Sequence, residues 1–332
     1  MSDPLKVFGA RLLDEKELLL SSSGGMFMAI AENAISQWNA IACAVMDYET
    51  KRVVFRIIES ADEIHLAQGS KYVQAYPGSI LTECVCWLDD HPGKNLVMFG
   101  LGCQIAGFKA FFDGLGMSDR VLFVDIICHG TPSPLIFSEY LKMVESKAGG
   151  AVEYLSMRDK RNGWTRPYYY CVVNSKEIEL QSWARLFYSS LITRPSCHVC
   201  PYSHPQRASD ITIGDFWGID MVRPEKFNQK GLSLVLVHDK RGEDLFDSIC
   251  DALDFFPVES DADYLQPNLI RPTAVSPKRD AFWKFYHMHG LNRAMDKFTR
   301  TTFIRRAAKL MLGPVLRPVK HFVENRRGGK LL

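Results

Sequence analysis

The sequence predicts an α/β protein: a mixed, partly parallel sheet with flanking helices, plus a basic helical C-terminal appendage. Three observations predict it. Asn95 to Pro134 reads as strand, helix, strand. Short β-rich runs recur between apolar helical stretches over residues 1–276. Beyond Pro277 the pattern turns helical and basic. The chain has 332 residues, 47% apolar and 23% charged, ordinary values for a globular domain that exclude disordered, collagen-like and coiled-coil classes. Its length is about twice that of a usual domain. The longest apolar stretch, Leu96 to Phe112, is interrupted by Gln104 and Lys109 and does not suit a bilayer span.

The elements follow in order. Ser21-Ser22-Ser23-Gly24-Gly25 leads into an apolar helix over Met26 to Gln37, with a serine placed to cap its first turn. Ala42 to Tyr48 and Arg52 to Ile58 are β-rich and separated by Glu49-Thr50-Lys51, which suggests a hairpin. Leu96 to Phe99 is a short apolar strand. Gln104 to Asp113 reads as a helix and Val121 to Ile127 as a second buried strand. A βαβ unit of this kind runs its strands parallel and delivers both following loops to one sheet edge, where open α/β sheets bind ligands. Pro132 and Pro134 precede a helix near Leu135 to Ser146. Further strands are expected at Val152 to Leu155, Tyr168 to Val173, Asp210 to Gly214 and Leu232 to His238, with a helix at Glu243 to Leu253. The domain reading is a body over residues 1–276 and a helical region over 277–332.

Charge is unevenly distributed. Residues 277–332 hold 14 Lys or Arg against 3 Asp or Glu, a net of +11, which leaves −9 on the rest of a chain whose total is +2. In the tail, Arg293, Lys297, Arg300, Arg305, Arg306 and Lys309 alternate with Phe298, Phe303, Ile304, Leu310 and Met311. Such a helix suits either packing on the body or peripheral contact with an anionic membrane or an acidic partner. No nucleic-acid module accompanies the charge, so nucleic acid is not an expected partner. The first residues lack the basic and apolar regions of a signal peptide, so a cytoplasmic location is expected, with the inner membrane face as the place for any peripheral contact.

Nine cysteines, an odd number, do not read as a disulfide framework in a chain of this size. Thiols, some of them metal ligands, are the expectation. Cys197-His198-Val199-Cys200-Pro201 places two thiolates where a tight turn can aim both at one metal centre. Cys103 and Cys128 follow the two parallel strands and emerge from the same edge. Four thiolates would complete either a zinc site or a 4Fe-4S cluster, and ligand softness does not separate the two. Cys43, Cys84, Cys86, Cys171 and Cys250 lie inside apolar or helical patterns and read as small buried hydrophobes. His129, His198 and His204 lie near the site and suit ligation, hydrogen bonding beside the ligands, or simple exposure. Ser23-Gly24-Gly25 at a helix start suits a dinucleotide phosphate, since free amides and the helix dipole favour anions; a plain capped helix fits the same residues. Lys71 is placed either beside a phosphate or in solvent. Arg158, Lys160 and Arg161 form a basic group fit for a phosphate or an acidic substrate, or simply a solvated face.

Seven blocks occur in a set order. They are Ser22-Ser23-Gly24-Gly25, Gly69-Ser70-Lys71-Tyr72-Val73-Gln74, Cys103 to Gly107, Cys128-His129-Gly130, Met157 to Trp164, Arg194 to Pro201, and Asp210 to Gly218. Together they resemble the beta subunits of the coenzyme F420 hydrogenase/dehydrogenase family, over about Ser21 to His238. The resemblance implies an FAD-containing iron–sulfur oxidoreductase passing electrons between a cluster and a hydride-accepting or hydride-donating substrate, such as coenzyme F420 or another flavin-like compound. It implies a 4Fe-4S cluster on Cys103, Cys128, Cys197 and Cys200. It implies a flavin site at Ser22, Ser23, Gly24, Gly25, Gly69, Ser70, Lys71, Tyr72 and Gln74, with Arg158 and Lys160 beside the ligand. Two departures stand out. No cysteine precedes Cys43, where many members carry a ferredoxin-like module, so a separate electron-transfer protein is the expected partner. Leu101-Gly102 replaces the family's usual Thr-Pro before the first cysteine. Two other functions compete with this reading: a zinc-stabilised, non-catalytic scaffold, and a membrane-surface accessory protein in polysaccharide assembly.

Overall fold

A computed structural model describes residues 3–37 and 39–299. The described residues fall into two compact units, one ending at residue 279 and one beginning at residue 280. The first unit runs β1 (Lys6–Leu12), α1 (Glu15–Leu20), α2 (Met26–Gln37), β2 (Asn39–Asp47), β3 (Arg52–Ile58), α3 (Ile80–Asp90), β4 (Asn95–Leu101), α4 (Gly102–Gly114) and β5 (Val121–Ile126). It continues through α5 (Pro134–Ala148), β6 (Val152–Asp159), β7 (Tyr168–Val173), β8 (Lys176–Glu179), α6 (Gln181–Tyr188), β9 (Ile211–Asp215) and α7 (Ile219–Val222). It closes with β10 (Ser233–Val237), α8 (Lys240–Ile249), β11 (Leu253–Pro257), α9 (Asp261–Tyr264) and α10 (Pro267–Ile270). Helix α11 (Arg279–Thr299) follows, with a break in helical geometry at Gly290. The basic stretch expected beyond residue 299 lies outside the described residues. No described helix is long and apolar enough to cross a membrane.

Eight strands form one mixed sheet in the order β11-β1-β10-β9-β5-β4-β2-β3, and β6-β7-β8 form a second, antiparallel sheet. The middle of the large sheet is parallel, β2 to β4 to β5 to β9. Antiparallel strands complete both edges. The expected βαβ unit is β4-α4-β5, and the expected hairpin is β2-β3. The unbroken apolar runs of β4 and β5 follow from burial on both faces. Val97, Phe99, Leu122 and Val124 enter one core with Met26, Ile30 and Ala34 of α2 and Leu245, Phe246 and Ile249 of α8. Leu96, Met98, Val121 and Phe123, on the alternate pleat, are equally buried.

β1, α1, α3, α6, β8 and β11 are not predicted by the sequence pattern. In β1 the apolar alternation is obscured by Gly9 and Ala10. Gly9 is small for a reason: a Cβ there would overlap the ring of Phe256 on the neighbouring strand. The serine cap expected for α2 is not made. Ser22 Oγ accepts from Ser70, and Ser23 Oγ donates to the Leu232 carbonyl.

Below the parallel strands, His238 pairs its Nε2 with Thr212 Oγ1 at 2.7 Å, while its buried Nδ1 has no hydrogen-bond partner. Burial, then the charge of Arg207, pull this imidazole down to about 4. Because the folded value lies below the unfolded one near 6.5, the folded state binds fewer protons between them. The contribution is fully present above about pH 6.5 and is lost as pH falls towards 4. We expect acid unfolding to steepen across this window by at most ~3 kcal/mol. His238→Gln should flatten a stability profile recorded from pH 4 to 7; an unchanged slope would contradict the assignment.

Candidate functional site

The parallel pairing of β4 with β5 sends both following segments to one edge of the sheet. Cys103 opens α4 there, and Cys128 stands two residues beyond β5. The CxxC segment reaches the same edge through a short crossing. Pro132 bridges Thr193, Arg194 N donates to the Thr131 carbonyl at 2.9 Å, and a 3-10 turn over Pro195–Val199 carries Cys197. Gly130, at φ 106°, allows the approach: a Cβ on it would stand 3.3 Å from Cys197 Cβ. Thr131 Oγ1 is 3.9 Å from Cys197 Sγ, and Gly130 N donates to Cys128 Sγ at 3.2 Å.

The four thiols act on one another. Burial pushes Cys128 up to about 12, with Cys197, Cys103 and Cys200 adding repulsion against the Gly130 amide. Burial raises Cys103 as well, reinforced by Cys200 and Cys197. The thiols are gathered rather than converged on a point: among the described residues no three His, Cys, Asp or Glu side chains are arranged to hold a single ion. Behind the thiols the buried pair Arg207–Asp125, at 3.3 Å, ties the CxxC segment to β5, and Arg207 Nε donates to the His204 carbonyl at 2.9 Å. Gly102 fits between them. A Cβ there would overlap the Arg207 guanidinium and stand 2.9 Å from Asp125 Oδ2, which gives a physical reason for glycine beside Cys103. His198 Nδ1 contacts the Thr273 carbonyl at 2.7 Å and so supports the turn. Cys43, Cys84 and Cys171 are buried as expected, but Cys86 is exposed and Cys250 half-buried. Cys86 falls on the outward stripe of α3, which apolar content alone did not reveal.

Beside the cysteines lies a cavity of about 380 Å³. Cys128 lines it, as do the ends of β4, β5 and β9, the start of α2 and the 67–73 segment. The two Gly/Ser blocks meet directly: Ser70 donates to Ser22 Oγ from its amide at 2.8 Å and from its hydroxyl at 2.9 Å. Ser22, Ser23, Gly25, Gly69, Ser70, Lys71, Tyr72 and Arg158 all line the cavity. Gly24 sits just behind this wall, where a Cβ would overlap the Ala10 carbonyl and stand 2.5 Å from the Ser233 amide nitrogen. Gln74 is not among the lining residues.

The basic group separates three ways. Arg161 turns outward and bridges Asp159 and Glu177. Lys160 turns inward onto backbone carbonyls and does not line the cavity. Arg158 alone reaches the cavity wall. It pairs with Asp215, lies 5.2 Å from the Trp217 ring centroid, and has a buried Nε without a hydrogen-bond partner. Asp215 is further fixed by Trp164 Nε1 at 2.7 Å, and Trp164 stacks on Trp217 at 4.9 Å. Lys71 Nζ donates to the Ala67 carbonyl at 2.6 Å and to those of Gln68 and Gly69 at 3.2 Å, closing its own loop.

Sequence reasoning missed Phe187, Tyr188 and Asn268. Tyr72 stacks on Phe187 at 4.4 Å, and Tyr188 donates to the Tyr72 hydroxyl at 3.1 Å. Burial holds Tyr72 well above the usual phenol range, so it faces the cavity as a neutral hydroxyl. His129, which the sequence places near the cysteines, also lines the cavity; burial lowers it against a hydrogen bond to Asn268. The aromatic pattern of α6 was the available signal for Phe187 and Tyr188.

Residues 93–260, half of the chain, match the family described as the C terminus of the coenzyme F420 hydrogenase/dehydrogenase beta subunit. Among solved structures, a chain of the xenon-derivatised F420-reducing [NiFe] hydrogenase complex from Methanosarcina barkeri is similar, with a TM-score of 0.53 and 17% identity over 90% of both chains. At that identity the likeness speaks for the fold. No curated protein matches significantly.

Proposed function

The chain belongs to the coenzyme F420 hydrogenase/dehydrogenase beta-subunit family, and from that premise we propose that it is an iron–sulfur flavoprotein oxidoreductase. In this reading it passes electrons between a 4Fe-4S cluster and, through FAD, a substrate that gives or takes a hydride, coenzyme F420 or a flavin-like relative. One observation carries the reading. Cys128 feels the charges of Cys103, Cys197 and Cys200 and also lines the cavity formed by the two Gly/Ser blocks, so a cluster and a ring would be neighbours.

The residues fit both groups. Cys103, Cys128, Cys197 and Cys200 would hold the cluster. Ser22, Ser23, Gly25, Gly69, Ser70 and the start of α2 would take the flavin, with amides and hydroxyls suited to phosphate and ring oxygens. A flavin paired with a cluster interconverts two-electron and one-electron traffic. The chain's own part is positional. Ser22 and Ser70 join the two binding segments, Tyr72 and Phe187 form a flat wall, and Arg158 offers positive charge beside Trp217. The exposed Cys103 leaves the cysteine group accessible from outside, as exchange with a separate electron-transfer protein requires.

Two measurements test the reading. A reductive titration under anaerobic conditions should take up about three electrons per chain, two at the flavin and one at the cluster. Uptake of none, or of one alone, would refute it. Gly24→Ala should weaken FAD binding at least tenfold, because the new methyl group must displace the backbone of β1 or β10. Unchanged affinity would show that this loop is not the flavin site.

A further inference from the structure

Lys160 stands out because it is a buried cation with no acidic partner of its own. The residue is 6% exposed. Its Nζ donates to the carbonyls of Leu18 at 2.6 Å, Lys230 at 2.5 Å and Ser23. An ammonium has three N–H donors, and here three carbonyls take them. They come from three separate segments: α1, the serine–glycine loop, and the turn before β10. Asp215, the carboxylate facing this region, is already engaged by Arg158 and Trp164. Burial, and then the charge of Arg158, pull Lys160 down to about 7 against Asp215, so an anion bound at the front of the loop would favour its charged form at the rear.

The surrounding chain is shaped to this clamp. Gly231 has φ 107°, and a Cβ on it would stand 2.6 Å from the Ser23 carbonyl oxygen and 2.9 Å from Lys160 Nζ. Ser23 Oγ donates to the Leu232 carbonyl, and Gly24 N donates to Ser233 Oγ, each at 2.9 Å. The loop is thus held from behind by Lys160 and from the side by residues 231–233.

We propose that Lys160 is a positioning residue for an anionic group of the ligand. It orders the serine–glycine loop through the Ser23 carbonyl and supplies long-range positive charge, without touching the ligand. This rests on the flavin reading, with the diphosphate of FAD as the anion at that loop. A group acting in this way should matter for a phosphate-bearing ligand and little for a neutral one.

The experiment compares FAD with riboflavin, which lacks the diphosphate, on the full chain and on Lys160→Met. We expect the FAD dissociation constant to rise at least tenfold, with riboflavin binding held within about twofold and iron content unchanged. Gly231→Ala, which keeps the lysine but crowds both the Ser23 carbonyl and Lys160 Nζ, should shift FAD affinity in the same direction and covers the case in which Lys160→Met does not fold. Unchanged FAD affinity in a folded variant overturns the proposal. So does an equal loss of both ligands, which would mark Lys160 as a general structural support. If the unaltered protein binds neither FAD nor riboflavin, the flavin reading itself fails, a result distinguishable from failure of the Lys160 role.

Discussion

Cys128→Ala is expected to remove the iron from the protein and to abolish electron transfer to the cavity, a loss of at least a hundredfold in any assay that needs both centres. Burial and its three neighbouring thiols together push Cys128 up to about 12. A metal centre must hold it as thiolate, so the folded site depends on the cation to offset that cost. Cys128 also stands in the wall between the cysteine group and the cavity. Its replacement should therefore do more damage than replacement of the exposed Cys103. Cys197→Ala should likewise lose iron, while leaving the cavity wall intact and flavin binding close to normal. The comparison is made by measuring iron and flavin on the same samples. Full iron occupancy in Cys128→Ala would remove this residue from the ligand set.

Arg207→Leu is expected to carry the next largest effect. Arg207 and Asp125 form an ion pair with side chains only 2% and 1% exposed. Removing one partner strands a buried charge, which costs about 3–5 kcal/mol. Burial raises Asp125 even with Arg207 beside it, so without the guanidinium this carboxyl is driven to protonate, and at neutral pH the fold bears that cost. The consequence is local as well. Arg207 connects the CxxC segment to β5 and packs over Gly102 at the start of α4, so iron retention should fall along with denaturant stability. Adding Asp125→Asn to Arg207→Leu should recover part of the stability by removing the stranded charge. A loss below about 1 kcal/mol in the single variant, with iron retained, would show that the pair does not hold the segment.

Much of the site was legible in the sequence because its determinants are local or follow from topology. The largely apolar β4 and β5 around α4 specify parallel strands, and parallel strands place Cys103 and Cys128 at one edge. The CxxC spacing supplied the remaining two thiols. What stayed hidden depends on pairings between distant segments. Arg158, Lys160 and Arg161 look alike in one dimension, yet one faces the cavity, one is buried on carbonyls and one bridges acids at the surface. Those fates are decided by Asp215, Ser23 and Glu177, none of them near in sequence. The serines before α2 read as helix caps but are claimed by Ser70 and Leu232. The Tyr72–Phe187 wall had the same obstacle, since it joins a loop after β3 to α6. β1 escaped notice because Gly9, kept small by Phe256, and Ala10 beside it weaken its apolar alternation.

The central claim is that the cysteine group and the adjoining cavity hold a cluster and a flavin in one chain. The most direct test is to purify the protein anaerobically and quantify iron, zinc and flavin on one sample alongside its absorption spectrum. The expected result is about four irons and one flavin per chain, with flavin bands over a broad iron–sulfur shoulder. One zinc, with neither iron nor flavin, would contradict the claim and leave a structural metal site in a non-catalytic scaffold.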